Sequence, residues 1–276
     1  MKANYIIVGD PCAQLQGLPS DLIQCVFASP PRIKVPKGDW CVYREAADEY
    51  LDWTQVWVSE CMRILKDDGL LFCCGQLGKR EHTFIFLMAR LCELYQFHDL
   101  IIWDRAVGYN ERRDSFTPAY EMVLALRKSD KPKFRKAAVR EPYDSKTIEM
   151  YLKDKRYKDK QARLNHLLAG KFATNILRVP SLKGASKEKC GHPSQKPLEL
   201  VSKFIACSTD PGDIVLDPFL GSGTTAVAAE KLGRQWIGIE SNPMYVRVAE
   251  NRIAEGRGLF NGSVTAMTPK QARIGR

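Results

Sequence analysis

The stretch of this 276-residue chain richest in chemistry runs Asp213-Ile-Val-Leu-Asp217-Pro218-Phe219-Leu-Gly221-Ser222-Gly223-Thr224-Thr-Ala226. An apolar run, a glycine turn and a helix start follow one another. Gly221, Gly223 and Ala226 match the G-x-G-x-x-G/A spacing that lets a backbone approach a nucleotide. Glu240 stands nineteen residues after Gly221, at the end of the next apolar run, where a carboxylate accepts hydrogen bonds from ribose hydroxyls. Asp217 sits at the mouth of the turn. It would repel a pyrophosphate lying over the following helix N-terminus, and it would hold a ligand carrying positive groups. No Lys follows the glycines, which excludes the Walker phosphate loop. S-adenosylmethionine supplies both features, an adenosine for Glu240 and an amino and sulfonium end for Asp217.

A second centre lies far away in sequence. Ser29-Pro30-Pro31 follows the apolar run Leu22–Ala28. Two prolines remove two N–H donors and stiffen the backbone, leaving the neighbouring carbonyls as fixed acceptors. A serine hydroxyl beside such a carbonyl can accept both hydrogens of an exocyclic amino group.

The elements that must position these residues are read from periodicity. Strands are expected at Tyr5–Val8, Leu22–Ala28, Gly69–Gly75, 98–103, Tyr120–Leu126, Asp213–Leu216 and Trp236–Ile239. Helices are expected at 46–65 (with Tyr50, Val56, Trp57 and Met62 among the apolar positions), 79–95, Pro197–Cys207, Thr224–Leu232 and Val246–Ala254, and residues 32–44 read as irregular. Alternation of the two implies an α/β fold, a mostly parallel sheet with helices on both faces. Ser29 and Asp217 then both follow strands, at the sheet edge where such folds bind ligands.

Charge is not spread evenly. Residues 127–171 hold fifteen Lys or Arg and six acids, so +9 of the formal net charge of +10 sits in one block, which looks like an insertion into the scaffold. A local positive excess suits a polyanion. Lys133, Arg135, Lys136, Arg140, Lys155 and Arg156 are the candidate phosphate contacts, and an intermixed, salt-bridged helix around 146–163 is the bland alternative. Apolar residues make up 45% of the chain, enough for a sizeable core and against global disorder. No apolar run approaches the roughly 18–20 residues of a membrane helix. The opening residues are too short an apolar patch for a secretory leader, so the expected compartment is the cytoplasm. Nine cysteines, with no C-x-x-C pair, read as free thiols, mostly buried, in a reducing compartment. The four histidines form no ligand ladder, and Cys190 with His192 is too small a set for zinc, so no metal is expected.

Taken together, Ser29-Pro30-Pro31, the basic block and then Asp217-Pro-Phe-Leu-Gly-Ser-Gly-Thr-Thr resemble the amino-group DNA methyltransferases, in the order of their β class. The resemblance covers most of the chain. It implies a Rossmann-like methyltransferase fold with a catalytic half at 1–126, a target-recognition insertion at 127–185 and a cofactor-binding half at 186–276. It places Gly9-Asp10 beside the cofactor adenine, and His192-Pro-Ser194-Gln-Lys196-Pro197 near the methionine end. Pro118-Ala-Tyr120-Glu121 resembles the segment that precedes target recognition. In this family Ser-Pro-Pro is typical of cytosine-N4 enzymes and Asp-Pro-Pro of adenine-N6 enzymes. The resemblance thus implies methyl transfer from S-adenosylmethionine to cytosine N4 of double-stranded DNA, by direct attack of a flipped base. The family usually has an aromatic residue after the prolines, to stack on that base. Here the residue is Arg32, whose guanidinium plane can stack, or Trp40 or Tyr43 supplies the ring. The resemblance leaves room for a cognate restriction endonuclease and for a homodimer.

Rival readings are an adenine-N6 enzyme and a catalytically weak DNA-binding module that keeps the fold. A cytosine-C5 methylase would need a Cys nucleophile. Pro11-Cys12 precedes the glycine loop, the reverse of that family's order. A nicotinamide or flavin dehydrogenase is opposed by Asp217 and by the 36 residues left after Glu240, too few for a second nucleotide half.

Overall fold

Six consecutive buried side chains, Ile23 to Ala28, mark a strand covered on both faces, as parallel sheets require. The computed structural model describes residues 3–33, 40–77, 82–109, 111 and 113–261, without the side chains of 40–44 and 258–261. In chain order the elements are β1 (Tyr5–Val8), α1 (Pro11–Gln16), β2 (Ile23–Ala28), α2 (Trp40–Ile64), β3 (Leu65–Gly75), α3 (Thr83–Leu94), β4 (Gln96–Asp104) and β5 (Tyr120–Arg127). A 3-10 turn (Lys136–Val139), β6 (Arg140–Glu141), α4 (Ser145–Leu152), α5 (Lys160–Leu168), β7 (Lys171–Phe172) and β8 (Ile176–Arg178) follow. The chain continues with α6 (Leu198–Ser208), β9 (Ile214–Asp217), α7 (Thr224–Lys231), β10 (Gln235–Glu240) and α8 (Pro243–Asn261).

Eight strands form one sheet in the order β1-β10-β9-β2-β3-β5-β4-β8. All its pairings are parallel except the two made by β5, which runs against β3 and β4. Alternating side chains feed two cores. One holds Phe27, Phe72, Trp103, Phe204, Leu220 and Trp236, with the Phe204 ring 5.5 Å from Phe27 and 4.8 Å from Phe72. The other holds Val26, Trp57, Leu71, Leu87, Leu124 and Ile237.

The expected strands and helices are present, with several differences. Helix α1 was not expected. It starts on Asp10, whose carboxylate accepts from Ala13 N, with Pro11 in the first turn where its missing N–H costs nothing. Helix α2 begins at Trp40, inside the stretch expected to be irregular; residues 34–39 of that stretch lie outside the described residues, as do 79–81 of the helix expected at 79–95. Val56, expected on the apolar face of α2, is 49% exposed. The basic block is two short helices rather than one, because Asp144 and Asp159 each cap a new N-terminus through Thr147 N and Ala162 N. The end of that block returns to the main sheet as edge strand β8, paired with β4.

The position of β9 decides the architecture of the site. It lies beside β2 in parallel, with Cys25 opposite Val215 and Val26 opposite Leu216. The late half of the sheet therefore meets the early half there, and the carboxyl ends of β2 and β9 are neighbours.

Candidate active site

Ser29 immediately follows β2, and Asp217 ends β9, so the serine–diproline corner and the acidic turn emerge side by side. On the other flank of β9, Gly238 of β10 lies opposite Asp217, and β10 ends at Glu240 opposite Val8 of β1. Gly9 N donates to the Glu240 carbonyl at 3.1 Å, which brings Gly9-Asp10 to the same edge. Four strand ends thus gather Asp10, Glu240, Asp217 and Ser29.

Asp217 is 5% exposed. One carboxylate oxygen accepts from Phe219 N at 2.9 Å and the other from the Thr225 hydroxyl at 2.5 Å. Burial is the main reason its pKa rises, to about 7, with the Glu240 charge adding to the rise. A carboxyl group held so far from water gains from a cationic ligand. Glu240 closes the glycine loop: one oxygen accepts from Gly221 N and the other from Asn242 N, both at 2.8 Å. Each oxygen keeps a lone pair for a ribose hydroxyl. Asp10 is likewise in use as the α1 cap, with Ala13 N at 3.2 Å from Oδ1.

Gly221 and Gly223 have φ of +51° and +76°, in the left-handed region that favours glycine. A Cβ on Gly221 would lie 3.0 Å from His192 Nε2, and one on Gly223 would lie 3.1 Å from Ala249 Cβ. His192 therefore covers the loop, its ring 4.4 Å from that of Tyr245. Burial lowers the His192 pKa, which keeps the ring neutral near pH 7. Pro218, Ser222 and Thr224 are buried. The Ser222 and Thr224 hydroxyls face Arg252 of α8, whose Nη1 donates to Ser222 O and Oγ at 3.2 Å and to Thr224 Oγ1 at 2.6 Å. These two positions were expected at a cofactor; what they present to the open side of the loop is backbone. Arg252 also pairs with Glu188 at 3.0 Å, tying the segment before His192 to the loop.

Lys196 and Arg105 converge on Glu121, at 2.9 and 3.0 Å, beside Trp103. With Arg32 and His192 they line a cavity of about 80 Å3. Ser194 is exposed, its N–H donating to His192 Nδ1 at 3.2 Å. Phe219 packs edge-on against Trp57 at 5.0 Å and lies 5.6 Å from Trp53. Arg32 is exposed at the mouth of this region, and the side chains of Trp40 and Tyr43 lie outside the described residues.

The basic positions behave differently from the expectation. Lys133 pairs with Asp213 at 2.9 Å and Asp210 at 3.2 Å, and Arg135 forks onto Asp210 at 2.9 and 2.7 Å. Both were expected at phosphates; in the structure they fasten the insertion to the turn before β9. Lys136 and Arg140 lie over the Phe172 ring at 4.8 and 3.8 Å, and Arg156 forks onto Asp154. Lys155, with Lys146, Lys153 and Lys158, is exposed and makes no ion pair among the described residues. No disulfide joins the described cysteines; Cys92 is exposed, unlike the buried thiols expected. Among the described residues no cluster with metal-ligand character occurs, and no helix is long and apolar enough to cross a membrane.

Sequence reasoning missed Arg252, Glu188 and Arg105, and it marked Glu121 as part of a segment without its ion pairs. Each acts through a partner distant in sequence, and an isolated Arg or Glu carries no sign of that.

An α/β sheet that brings a glycine turn and two carboxylates to one strand edge is the arrangement expected of the methyltransferase type. The family model described as DNA methylase, for N6 and N4 methyltransferases, matches residues 23–251. The chain belongs to that family. It is 31% identical over 254 residues to the DNA adenine methyltransferase YhdJ of Escherichia coli K12, covering 91% of this chain and 83% of the relative. It is 30% identical to the type II methyltransferase M.HinfI of Haemophilus influenzae, covering 91% and 68%. Among solved structures, the cytosine-N4-specific PvuII DNA methyltransferase superposes with a TM-score of 0.69 at 21% identity, over 95% of this chain and 92% of that one. A DNA modification methylase of Thermus thermophilus, solved with S-adenosyl-L-methionine, gives 0.66 at 22% identity, over 92% and 94%.

Proposed function

We propose that this DNA methyltransferase moves a methyl group from S-adenosylmethionine to N4 of a cytosine flipped out of double-stranded DNA. The observation that carries the reading is the side-by-side emergence of Ser29-Pro30-Pro31 and Asp217 from β2 and β9. The cofactor, when bound, supplies an electrophilic methyl group on a positive sulfur. Asp217 holds the cationic end, Glu240 the ribose and Asp10 the adenine edge. The open backbone of Gly221–Gly223, under His192, lets the cofactor approach closely, and Pro218, Phe219, Ser222 and Thr224 shape that turn. Ser194 and Lys196 flank the methionine end.

An exocyclic amine is a poor nucleophile because its lone pair is delocalised into the ring. Ser29 Oγ and the Pro30 carbonyl accept its two hydrogens, favour a pyramidal nitrogen and turn the lone pair toward the methyl group. Pro31 stiffens the same corner. Catalysis is positioning and fixed dipoles, with no covalent intermediate. Arg32 stacks on the flipped base. Residues 127–185 read the target sequence, with Lys155 and the other exposed lysines on phosphates; Lys136, Arg140 and Arg156 add positive charge within the same insertion.

The serine at position 29 favours cytosine, following the family correlation. The second reading, adenine N6, is favoured by the name of the 31% identical relative. The type II name of M.HinfI extends the proposal to a modification enzyme with a cognate endonuclease, and a homodimer is compatible with it. Mass spectrometry of nucleosides from unmethylated genomic DNA, incubated with the protein and S-adenosylmethionine, tests the reading. N4-methylcytosine is the expected product. N6-methyladenine alone transfers the assignment to the second reading, and 5-methylcytosine alone, or no product, overturns both.

A further inference from the structure

The serine–diproline corner is held by a residue of α2 that lies in neither motif. Tyr50 Oη donates to the Pro31 carbonyl at 3.0 Å, and among the described residues this is the hydrogen bond that ties Ser29-Pro30-Pro31 to a helix. Each proline fixes its own φ, so the free torsions of the corner are its ψ angles. A donor on the Pro31 carbonyl fixes the last of them. It sets the plane of the Pro31–Arg32 peptide and the exit direction of Arg32, and it anchors the far end of the corner, so that the ψ of Pro30, which turns the Pro30 carbonyl, is held between this anchor and the end of β2.

The same helix face reaches the other motif. Tyr50, Trp53 and Trp57 recur at the three- and four-residue spacing that puts side chains on one face of a helix. The Tyr50 and Trp53 rings are 5.5 Å apart, and Trp53 and Trp57 lie 5.6 and 5.0 Å from Phe219. Phe219 N in turn donates to Asp217. One rigid helix therefore touches both the corner that receives the amine and the turn that holds the cation. Burial raises the Tyr50 pKa, so the phenol remains a donor at neutral pH.

We infer that Tyr50 is a positioning residue for methyl transfer, acting through the Pro31 carbonyl to aim the Ser29 and Pro30 acceptors at the donor. The inference rests on the proposed role of that corner. Its test is Tyr50→Phe, which removes one hydroxyl and keeps the ring contacts. Single-turnover transfer of a labelled methyl group to unmethylated genomic DNA, at saturating cofactor, is compared with cofactor affinity by calorimetry and with thermal melting.

The expected result is a transfer constant about tenfold lower, the weight of one well-placed hydrogen bond, with cofactor affinity within twofold of wild type and the melting transition retained. A transfer constant within twofold of wild type overturns the inference. So does a loss of cofactor affinity or folding that matches the loss of transfer, because the hydroxyl then serves the fold. A wild-type protein that transfers nothing strikes the functional reading first and this inference with it. An active wild type with an equally active variant strikes the inference alone.

Discussion

The two ends of the active-site edge are built in opposite ways. At the end proposed for the cofactor every polar side chain of the loop is bonded: Asp217 to Phe219 N and Thr225, Glu240 to Gly221 N and Asn242 N, Ser222 and Thr224 to Arg252. At the end proposed for the target base the corner is stiff because of its prolines and one tyrosine, and Arg32 beside it is exposed. The difference suits what each end is proposed to handle. A cofactor of constant shape is matched by a dense internal network formed in advance. A base swung out of DNA needs room to enter, so rigidity there comes from covalent rings rather than from neighbours.

If the contrast is right, damage to the dense end should abolish binding, and damage to the sparse end should slow the chemistry. The largest expected effect is that of Asp217→Ala. Removing the buried partner of a cation costs about 3 kcal/mol, near 10²-fold in cofactor affinity by calorimetry. Arg252→Met comes next. It takes three hydrogen-bonded contacts from Ser222 and Thr224 and the partner from Glu188. It should lower stability by about 2 kcal/mol in a denaturant titration, with the glycine loop loosened.

A third expectation concerns pH. The Asp217 carboxyl has its pKa raised from 3.8 to about 7. In the free protein its contribution to stability is complete below the ordinary carboxylate value and is lost as pH rises through about 7. A cationic ligand reverses the preference. Cofactor binding should release a proton at pH 6 and be about tenfold tighter at pH 8 than at pH 6, and Asp217→Asn should flatten that slope. The smallest effect belongs to the exposed lysines. Lys155→Ala should weaken DNA binding roughly twofold and reduce the salt slope by about one, whereas Lys133→Ala should act on stability, since its charge is met by Asp210 and Asp213.

The same contrast explains what could be read from sequence. The glycine turn with Asp217 and Glu240 is local, and its spacing carries its geometry. The strands were legible as buried runs, such as Leu70 to Cys74. Direction and order were not: nothing in Tyr120–Arg127 says that it runs against both neighbours, because a buried run looks the same in either sense. Helix α1 was too short for periodicity, and its signal was the cap, Asp10 followed by Pro11. The basic block gave its charge but not its pairing. Lys133 and Asp213 are eighty residues apart, and only the fold brings them within 2.9 Å. The pairing of Glu121 with Arg105 and Lys196 was hidden for the same reason.

In the proposed reaction the early corner acts on the nitrogen while the late acid holds the donor, two separable tasks. Ser29→Ala, measured by single-turnover transfer to DNA and by cofactor calorimetry on the same protein, tests that separation most directly. The transfer constant should fall by about 10²-fold, the scale of one lost transition-state contact, with cofactor affinity within twofold of wild type. Transfer at the wild-type rate, or an equal loss in both measurements, would contradict it.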